Sequence, residues 1–259
     1  AGSSDFILCS EYVPNEHIVD RPPVVIYCGE GLEKWTPDQI NTHGLGGSET
    51  AVIKLAEQLV AKGLRVMVYG PSEGAWNGVF YRRFEKWIPS TPVMAFISWR
   101  NPTVFDAPIQ AQFKYLWMHD TDAGDMLTHE RAEKITGVMA LSQWHVDHLT
   151  ERYPFLGDKC FIVGNGINPE RFTATPERQT HRFVYLSSPD RGLVKALDLW
   201  PKIREKLPEA ELHIFYGWEN YDKMRGSTDW KMEVMAKARQ PGVVWRGRLP
   251  QNELAQLYS

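Results

Sequence analysis

The chain has 259 residues, 43% of them hydrophobic and 24% charged, which is the balance of a folded globular protein. A formal net charge of −3 gives no electrostatic footprint for nucleic acid or an anionic membrane surface, and no apolar run reaches the ~20 residues of an integral membrane segment. Three scattered cysteines, Cys9, Cys28 and Cys160, lack metal-ligand spacing and imply reduced thiols in a cytoplasmic protein, with Cys28 and Cys160 as core filler.

Residues 1–20 carry no clear period and read as a lead-in segment. The chain starts without methionine, and no basic stretch followed by an apolar one marks a signal peptide, so its front end is expected to be cut or processed. From Val24 onward strands alternate with helices. The expected strands are Val24–Cys28, Arg65–Tyr69, Val93–Ser98, Tyr115–His119, Val138–Ser142 and Lys159–Val163. The expected helices are Ser48–Lys62 and Gln143–Arg152, with a shorter one near Asp125–Lys134. Short apolar strands separated by helices predict an α/β fold with a doubly wound parallel sheet. Asn168–Thr180, with Pro169, Pro176 and no apolar period, reads as a linker. The alternation then restarts with strands at Phe183–Ser187, Glu211–Tyr216 and Val243–Trp245. Helices are expected at Leu193–Leu207, Asp229–Arg239 and Gln251–Tyr258. Residues 21–175 and 176–259 therefore make two Rossmann-like domains, the second expected to be incomplete. The loops Gly29–His43 and Glu73–Asn77 have no readable code.

The most informative stretch is Gly44-Leu45-Gly46-Gly47-Ser48-Glu49-Thr50, a glycine-rich turn between the first strand and the first long helix. Glycine lets backbone approach a ligand, Ser48 is placed to cap the helix, and the helix amino end favours a phosphate or sugar hydroxyl. Many α/β domains need such a turn for packing alone. His119 stands at the carboxyl end of an apolar strand, the edge where such sheets bind ligands; a histidine bonded to the next loop fits as well. Asp120-Thr121-Asp122 suits a divalent cation bridging a diphosphate, or a turn and cap before the next helix, and the second role is preferred. His145 and His148 lie three apart on a helix, but no third ligand follows, and zinc is discounted. Asn165 and Gly166 carry turn chemistry and suit a hinge and a cleft wall. Ser187-Ser188-Pro189-Asp190-Arg191-Gly192 is a second strand-to-helix turn, with the Arg191 fork placed for phosphate oxygens and Lys195 one turn on. Trp35, Trp76 and Trp218 fall in loop-like context, where they stack on sugar rings or simply pack.

Taken in order, these pieces resemble the family 4 retaining glycosyltransferases of the GT-B fold. The matching residues are Gly46-Gly47-Ser48-Glu49, His119, Asn165-Gly166-Ile167-Asn168 with Phe172, and Ser187 with Arg191-Gly192-Leu193. Leu212-His213-Ile214-Phe215-Tyr216-Gly217 and Val244-Trp245-Arg246-Gly247 match further on. The resemblance implies an acceptor-side domain at 21–175 and a nucleotide-sugar donor domain beginning at 176. It implies a UDP-, GDP- or ADP-linked sugar as substrate, no cofactor or metal, and a saccharide, lipid or small-molecule acceptor. Gly46, Gly47 and Ser48 would approach the donor, His119 the transferred sugar, and Ser187, Arg191 and Lys195 the diphosphate. Arg191 stands where the family usually has lysine, Tyr185 stands in place of its arginine, and Lys195 or Arg248 is the compensating candidate. The family's glutamate pair would fall beyond Ser259, so this chain is expected to be truncated within the donor domain and poorly active or inactive in that form. The alternatives are a non-catalytic nucleotide- or carbohydrate-binding module or degenerate partner subunit, and a metal-dependent transferase using Asp120 and Asp122.

Overall fold

The computed structural model describes residues 21–258 except 32 and 173–178. The lead-in segment, Cys9 and the middle of the expected linker lie outside the described residues. The chain forms two compact units, one of residues up to Pro37 with Gly46–Ile167, the other of Asp38–Leu45 with the described residues from Asn168 onward. The glycine-rich stretch thus divides between them: Gly44 and Leu45 belong with the second unit, and Gly46 through Thr50 with the first.

In chain order the elements begin with β1 (Val24–Tyr27), α1 (Gln39–Thr42), α2 (Gly47–Ala61), β2 (Val66–Gly70), β3 (Gly74–Trp76) and β4 (Val79–Arg83). They continue with β5 (Val93–Trp99), β6 (Ala111–Trp117), α3 (His129–Glu133), β7 (Gly137–Ala140), α4 (Gln143–Arg152) and β8 (Cys160–Ile162). All except α1 belong to the first unit, whose eight strands run in the order β3-β4-β2-β1-β5-β6-β7-β8. Each neighbouring pair is parallel except β3 with β4. From β1 the chain moves outward to β2 and β4, then returns to place β5 on the other side of β1. That reversal opens a crevice at the carboxyl ends of β1 and β5. Val24, Val25 and Ile26 of β1 and all of β7 are buried, as parallel strands covered on both faces must be. The core gathers Phe96, Phe105, Leu116, Met118, Leu149 and Leu156.

Several expected boundaries shift. The strand expected at Tyr115–His119 runs from Ala111 to Trp117, which leaves His119 in the following loop. The helix expected near Asp125–Lys134 is a short 3-10 turn at Gly124–Met126 followed by α3. The expected loop Glu73–Asn77 contains β3, joined to β4 by Asn77 and Gly78, both at positive φ (50° and 77°). With Trp76 paired to Val79, this is a two-residue hairpin of the Asn-Gly kind. Asn165 and Gly166 make no such turn: they are exposed, in irregular chain after β8, and Gly166 is not at positive φ. Part of the expected linker is structured, since Pro169–Phe172 forms a 3-10 turn.

The second unit holds β9 (Arg182–Tyr185), α5 (Leu193–Lys206), β10 (Glu211–Ile214), α6 (Glu219–Arg225), α7 (Asp229–Lys237), β11 (Val243–Trp245) and α8 (Gln251–Tyr258). Its strands are parallel in the order β11-β10-β9. Leu193, Leu197 and Trp200 on one face of α5 pack with Leu212, Ile214 and Val234. The buried Trp200 indole donates to the Pro241 carbonyl at 3.0 Å. Trp218 packs here as well, stacked on Trp245 at 5.7 Å. In the first unit Trp35 is buried, and Trp76 meets Tyr81 edge-on at 5.4 Å. All three are packing residues. Cys28 is buried, and Cys160 is half-buried against the core. Among the described residues no helix is long and apolar enough to cross a membrane.

Leu116 carries β6 into the centre of the core. Leu116→Ala should cost about 2–5 kcal/mol in urea unfolding, and Ile88→Ala, at an exposed position, less than about 0.5 kcal/mol. Equal costs would contradict the placement of the core.

Candidate functional site

The carboxyl edge of the first sheet is organised by a residue that the motifs do not name. Tyr27 pairs with Ser98, and Trp99 with Trp117, so the loops after β1, β5 and β6 emerge side by side. Arg100 follows β5 directly with φ of +66°. A left-handed backbone at a bulky residue costs on the order of 1 kcal/mol. It is held there by its own N–H, which donates to the Trp117 carbonyl at 2.9 Å. Its guanidinium donates from Nη2 to Ser48 Oγ at 2.8 Å and lies 3.2 Å through Nε from Asp120 Oδ2. It also sits 4.5 Å over the Trp99 ring, within cation–π range. One side chain therefore joins the first turn of α2, the end of β5 and the loop after β6.

Ser48 is not the helix cap. Gly46 occupies the N-cap position, its carbonyl accepting from the Thr50 N–H at 3.0 Å and the Thr50 hydroxyl at 2.8 Å. Ser48 falls inside the first turn, and its hydroxyl goes to Arg100 instead. The Glu49 carboxylate folds back against Gly46, so a Cβ there would collide with it, whereas a Cβ on Gly47 would meet nothing within 4 Å. The chain's own packing does not require glycine at position 47.

His119 lies edge-on to two buried indoles, 4.5 Å from Trp117 and 6.2 Å from Trp99. Burial lowers its pKa to about 4, with the Arg100 and His145 charges adding to the effect. At neutral pH the ring is uncharged. Its Nε2 is buried without a hydrogen-bond partner among the described residues, and a neutral imidazole nitrogen can accept from a hydroxyl or donate to one. The histidine bonded to the next loop, the other reading of this residue, is not what the structure shows.

The two acidic residues of Asp120-Thr121-Asp122 are separately engaged. Asp120 faces Arg100, and Asp122 accepts from the Gly124 N–H at 2.7 Å, which holds its carboxyl below the usual range. Asp122 therefore makes the turn, as preferred from the sequence. Tyr153 pins this loop from beneath, its hydroxyl accepting from Ala123 N–H at 3.0 Å and donating to the Gly124 carbonyl at 2.8 Å. His145 is buried, with Nδ1 accepting from Leu141 N–H at 3.2 Å; His148 instead lies 3.6 Å from Asp122 and stacks on Trp144. The pair does not converge, and among the described residues no group of three or more His, Cys, Asp or Glu is placed to hold a metal ion.

In the second unit the turn between β9 and α5 is separately braced. The Tyr185 hydroxyl donates to the Ser188 carbonyl at 2.8 Å, and Arg191 N–H donates to the same carbonyl at 2.9 Å. Gly192, the N-cap of α5, has φ of +103°, and no side chain caps this helix. Ser187 is half-buried, while Arg191 and Lys195 are exposed and make no ion pair among the described residues. Asn165 and Gly166 are exposed just before the first unit ends at Ile167.

No protein-family model matches the sequence, and no curated protein sequence matches it. Among solved structures, the catalytic domain of starch synthase IV from Arabidopsis thaliana, bound to ADP and acarbose, aligns with a TM-score of 0.56 at 9% identity. It covers 92% of this chain and 76% of its own. A mutant O-GlcNAc transferase from Thermobaculum terrenum aligns with a TM-score of 0.53 at 13% identity, over 94% of this chain and 48% of its own. TarM aligns over 62% of this chain at 18% identity with a TM-score of 0.43, and the chain spans 34% of its length. At these identities the first two likenesses show the fold, a GT-B-like α/β architecture of Rossmann-like units with parallel sheets.

Arg100, Trp99 and Trp117 escaped the motif reading, although the signal was there. The rule that singled out His119, a polar residue just past an apolar strand, applies equally to Arg100 after Val93–Trp99.

The unfolded chain takes up a proton on His119 near pH 6.5, and the folded chain only near pH 4. The stability tied to the neutral ring is therefore present above pH 6.5 and lost as pH falls toward 4. Arg100→Met should raise the His119 pKa while leaving it below 6.5, because burial is the larger cause. Imidazole proton shifts measured against pH read both values; a wild-type His119 titrating near 6.5 would contradict the assignment.

Proposed function

We propose that this protein is a glycosyltransferase that moves a sugar from a nucleotide-sugar donor to an acceptor hydroxyl. The observation that carries the reading is His119: a neutral, partly buried imidazole with an unpartnered Nε2, on the carboxyl edge of a parallel sheet and linked through Arg100 to the glycine turn at Gly46–Ser48. In this reading Nε2 meets a hydroxyl of the transferred sugar. Gly47, where the chain's packing leaves a side chain room, lets the donor approach α2, whose first turn offers free N–H groups. The solved structures of like fold add two points. Starch synthase IV has ADP and acarbose bound, and the Thermobaculum terrenum protein is an O-GlcNAc transferase.

The chemistry assigned to the second unit is stabilisation of the leaving group. As the bond from the anomeric carbon to the diphosphate breaks, its electron pair goes to the phosphate oxygen. Arg191, Lys195 and the uncapped amino end of α5 are the groups assigned to the diphosphate, whose charge is greater in the transition state than in the bound donor. The acceptor oxygen bonds the anomeric carbon, and its proton passes to the departing phosphate. Retention of configuration results in this scheme from attack on the face the leaving group vacates. The proposed charge comes from protein groups, with no metal assigned a role.

A non-catalytic nucleotide- or carbohydrate-binding module is the second reading, and Tyr185 favours it. The position the family gives to arginine is spent on bracing the Ser188 carbonyl, and it leaves Arg191 and Lys195 as the nearby exposed cations of that turn.

Calorimetry with UDP, GDP and ADP should detect binding of at least one diphosphate. Arg191→Ala should weaken that binding about tenfold or more, as expected for a charge-assisted contact. Unchanged affinity would remove Arg191 from the site. Binding without turnover of any of the three corresponding nucleotide sugars would favour the module.

A further inference from the structure

Trp144 is the one exposed tryptophan among the described residues, at 63%, yet it is firmly placed. Its ring stacks on His148 at 5.2 Å with 8° between the planes, and lies 6.4 Å from His145 at 27°. His145 is anchored in the core by the Leu141 N–H, and His148 sits 3.6 Å from Asp122, whose carboxylate is fixed by Gly124. Such a flat apolar ring is held in one orientation by a helix and a pinned loop, with most of its surface in water.

We propose that Trp144, backed by His148, which in turn faces Asp122, is a platform for a pyranose ring of a saccharide acceptor. The inference rests on the glycosyltransferase reading for the word acceptor, whereas saccharide binding at Trp144 stands without it. The apolar C–H face of a pyranose lies flat on an indole, and ionised carboxylates accept hydrogen bonds from its hydroxyls. Trp144 is in the first turn of α4, just after β7, on the same carboxyl edge of the sheet as His119. A nucleobase also stacks on indole, but it brings phosphates. On these two segments Asp120 is paired with Arg100 and Asp125 with Arg152, while Asp122 and Asp147 add negative charge, so both arginines are already engaged by carboxylates and the balance favours a neutral sugar.

The test uses the indole N–H resonances of nitrogen-labelled protein, with the Trp144 signal assigned by its loss in Trp144→Phe. Maltose, N,N′-diacetylchitobiose and UMP serve as probes. The proposal expects a saturable shift of the Trp144 signal with at least one disaccharide and none with UMP. Trp144→Ala should weaken that binding about tenfold, and Asp122→Asn should weaken it several-fold. A Trp144 signal that stays fixed with both disaccharides, or that moves with UMP, overturns the platform. Calorimetry with UDP, GDP and ADP on the same samples separates the two readings. Saccharide shifts without nucleotide binding keep the platform and remove the transferase, and nucleotide binding without saccharide shifts does the reverse.

Discussion

The Arg100 guanidinium is the tie on which the first unit's carboxyl edge depends. Three chain segments far apart in sequence end there: the first turn of α2 through Ser48, the end of β5 through Trp99, and the loop after β6 through Asp120. To reach all three, Arg100 adopts a left-handed backbone that most side chains avoid. Strain of this kind persists where the surroundings over-determine it, and such places cluster at functional sites. The charge also acts at a distance. It adds to burial, the larger cause, in holding the His119 pKa down, so the residue that shapes the edge also acts on the ring beside it.

The two turns that join strand to helix solve one problem differently. Before α2 the N-cap is Gly46, and the nearby cation comes from another strand's end, where it is already engaged with Ser48 and Asp120. Before α5 the N-cap is Gly192, and the cations, Arg191 in the turn and Lys195 in the first turn of the helix, stay exposed. An engaged, half-buried arginine positions its neighbours, whereas an exposed one is available to a mobile anion. The proposed function uses that difference, with sugar contacts at His119 and its neighbours and phosphate contacts at Arg191 and Lys195.

Most of the strand and helix pattern was legible because a parallel sheet buried on both faces writes continuous apolar runs. Val243–Trp245 and Gln251–Tyr258 match residue for residue. What failed was local. The sequence reads as turn chemistry at Asn165-Gly166, whereas Glu73–Asn77 reads as a loop without readable code. Asn77-Gly78 lies between Trp76 and Val79, which can pair, and makes a hairpin. Asn165-Gly166 is followed by Ile167-Asn168-Pro169, with no returning strand, and makes none. Turn chemistry acts only when the flanks have something to pair with. Ser48 had the composition of a cap, but helix α2 begins one residue earlier and the hydroxyl was claimed by a side chain 52 positions away. No spacing rule reaches that far. For the same reason the Trp99–Arg100–Trp117–His119 cluster becomes visible only when β5 and β6 are side by side.

The central claim is that His119 Nε2 is kept neutral and unpartnered to meet a sugar hydroxyl. Diffraction from crystals grown with UDP-, GDP- and ADP-glucose tests it most directly. The account predicts, with the donor that binds, a sugar hydroxyl about 2.6–3.2 Å from that nitrogen, with Arg100 still bonded to Ser48. A donor seated with its sugar away from the carboxyl edge of the first sheet, and His119 untouched, would contradict it.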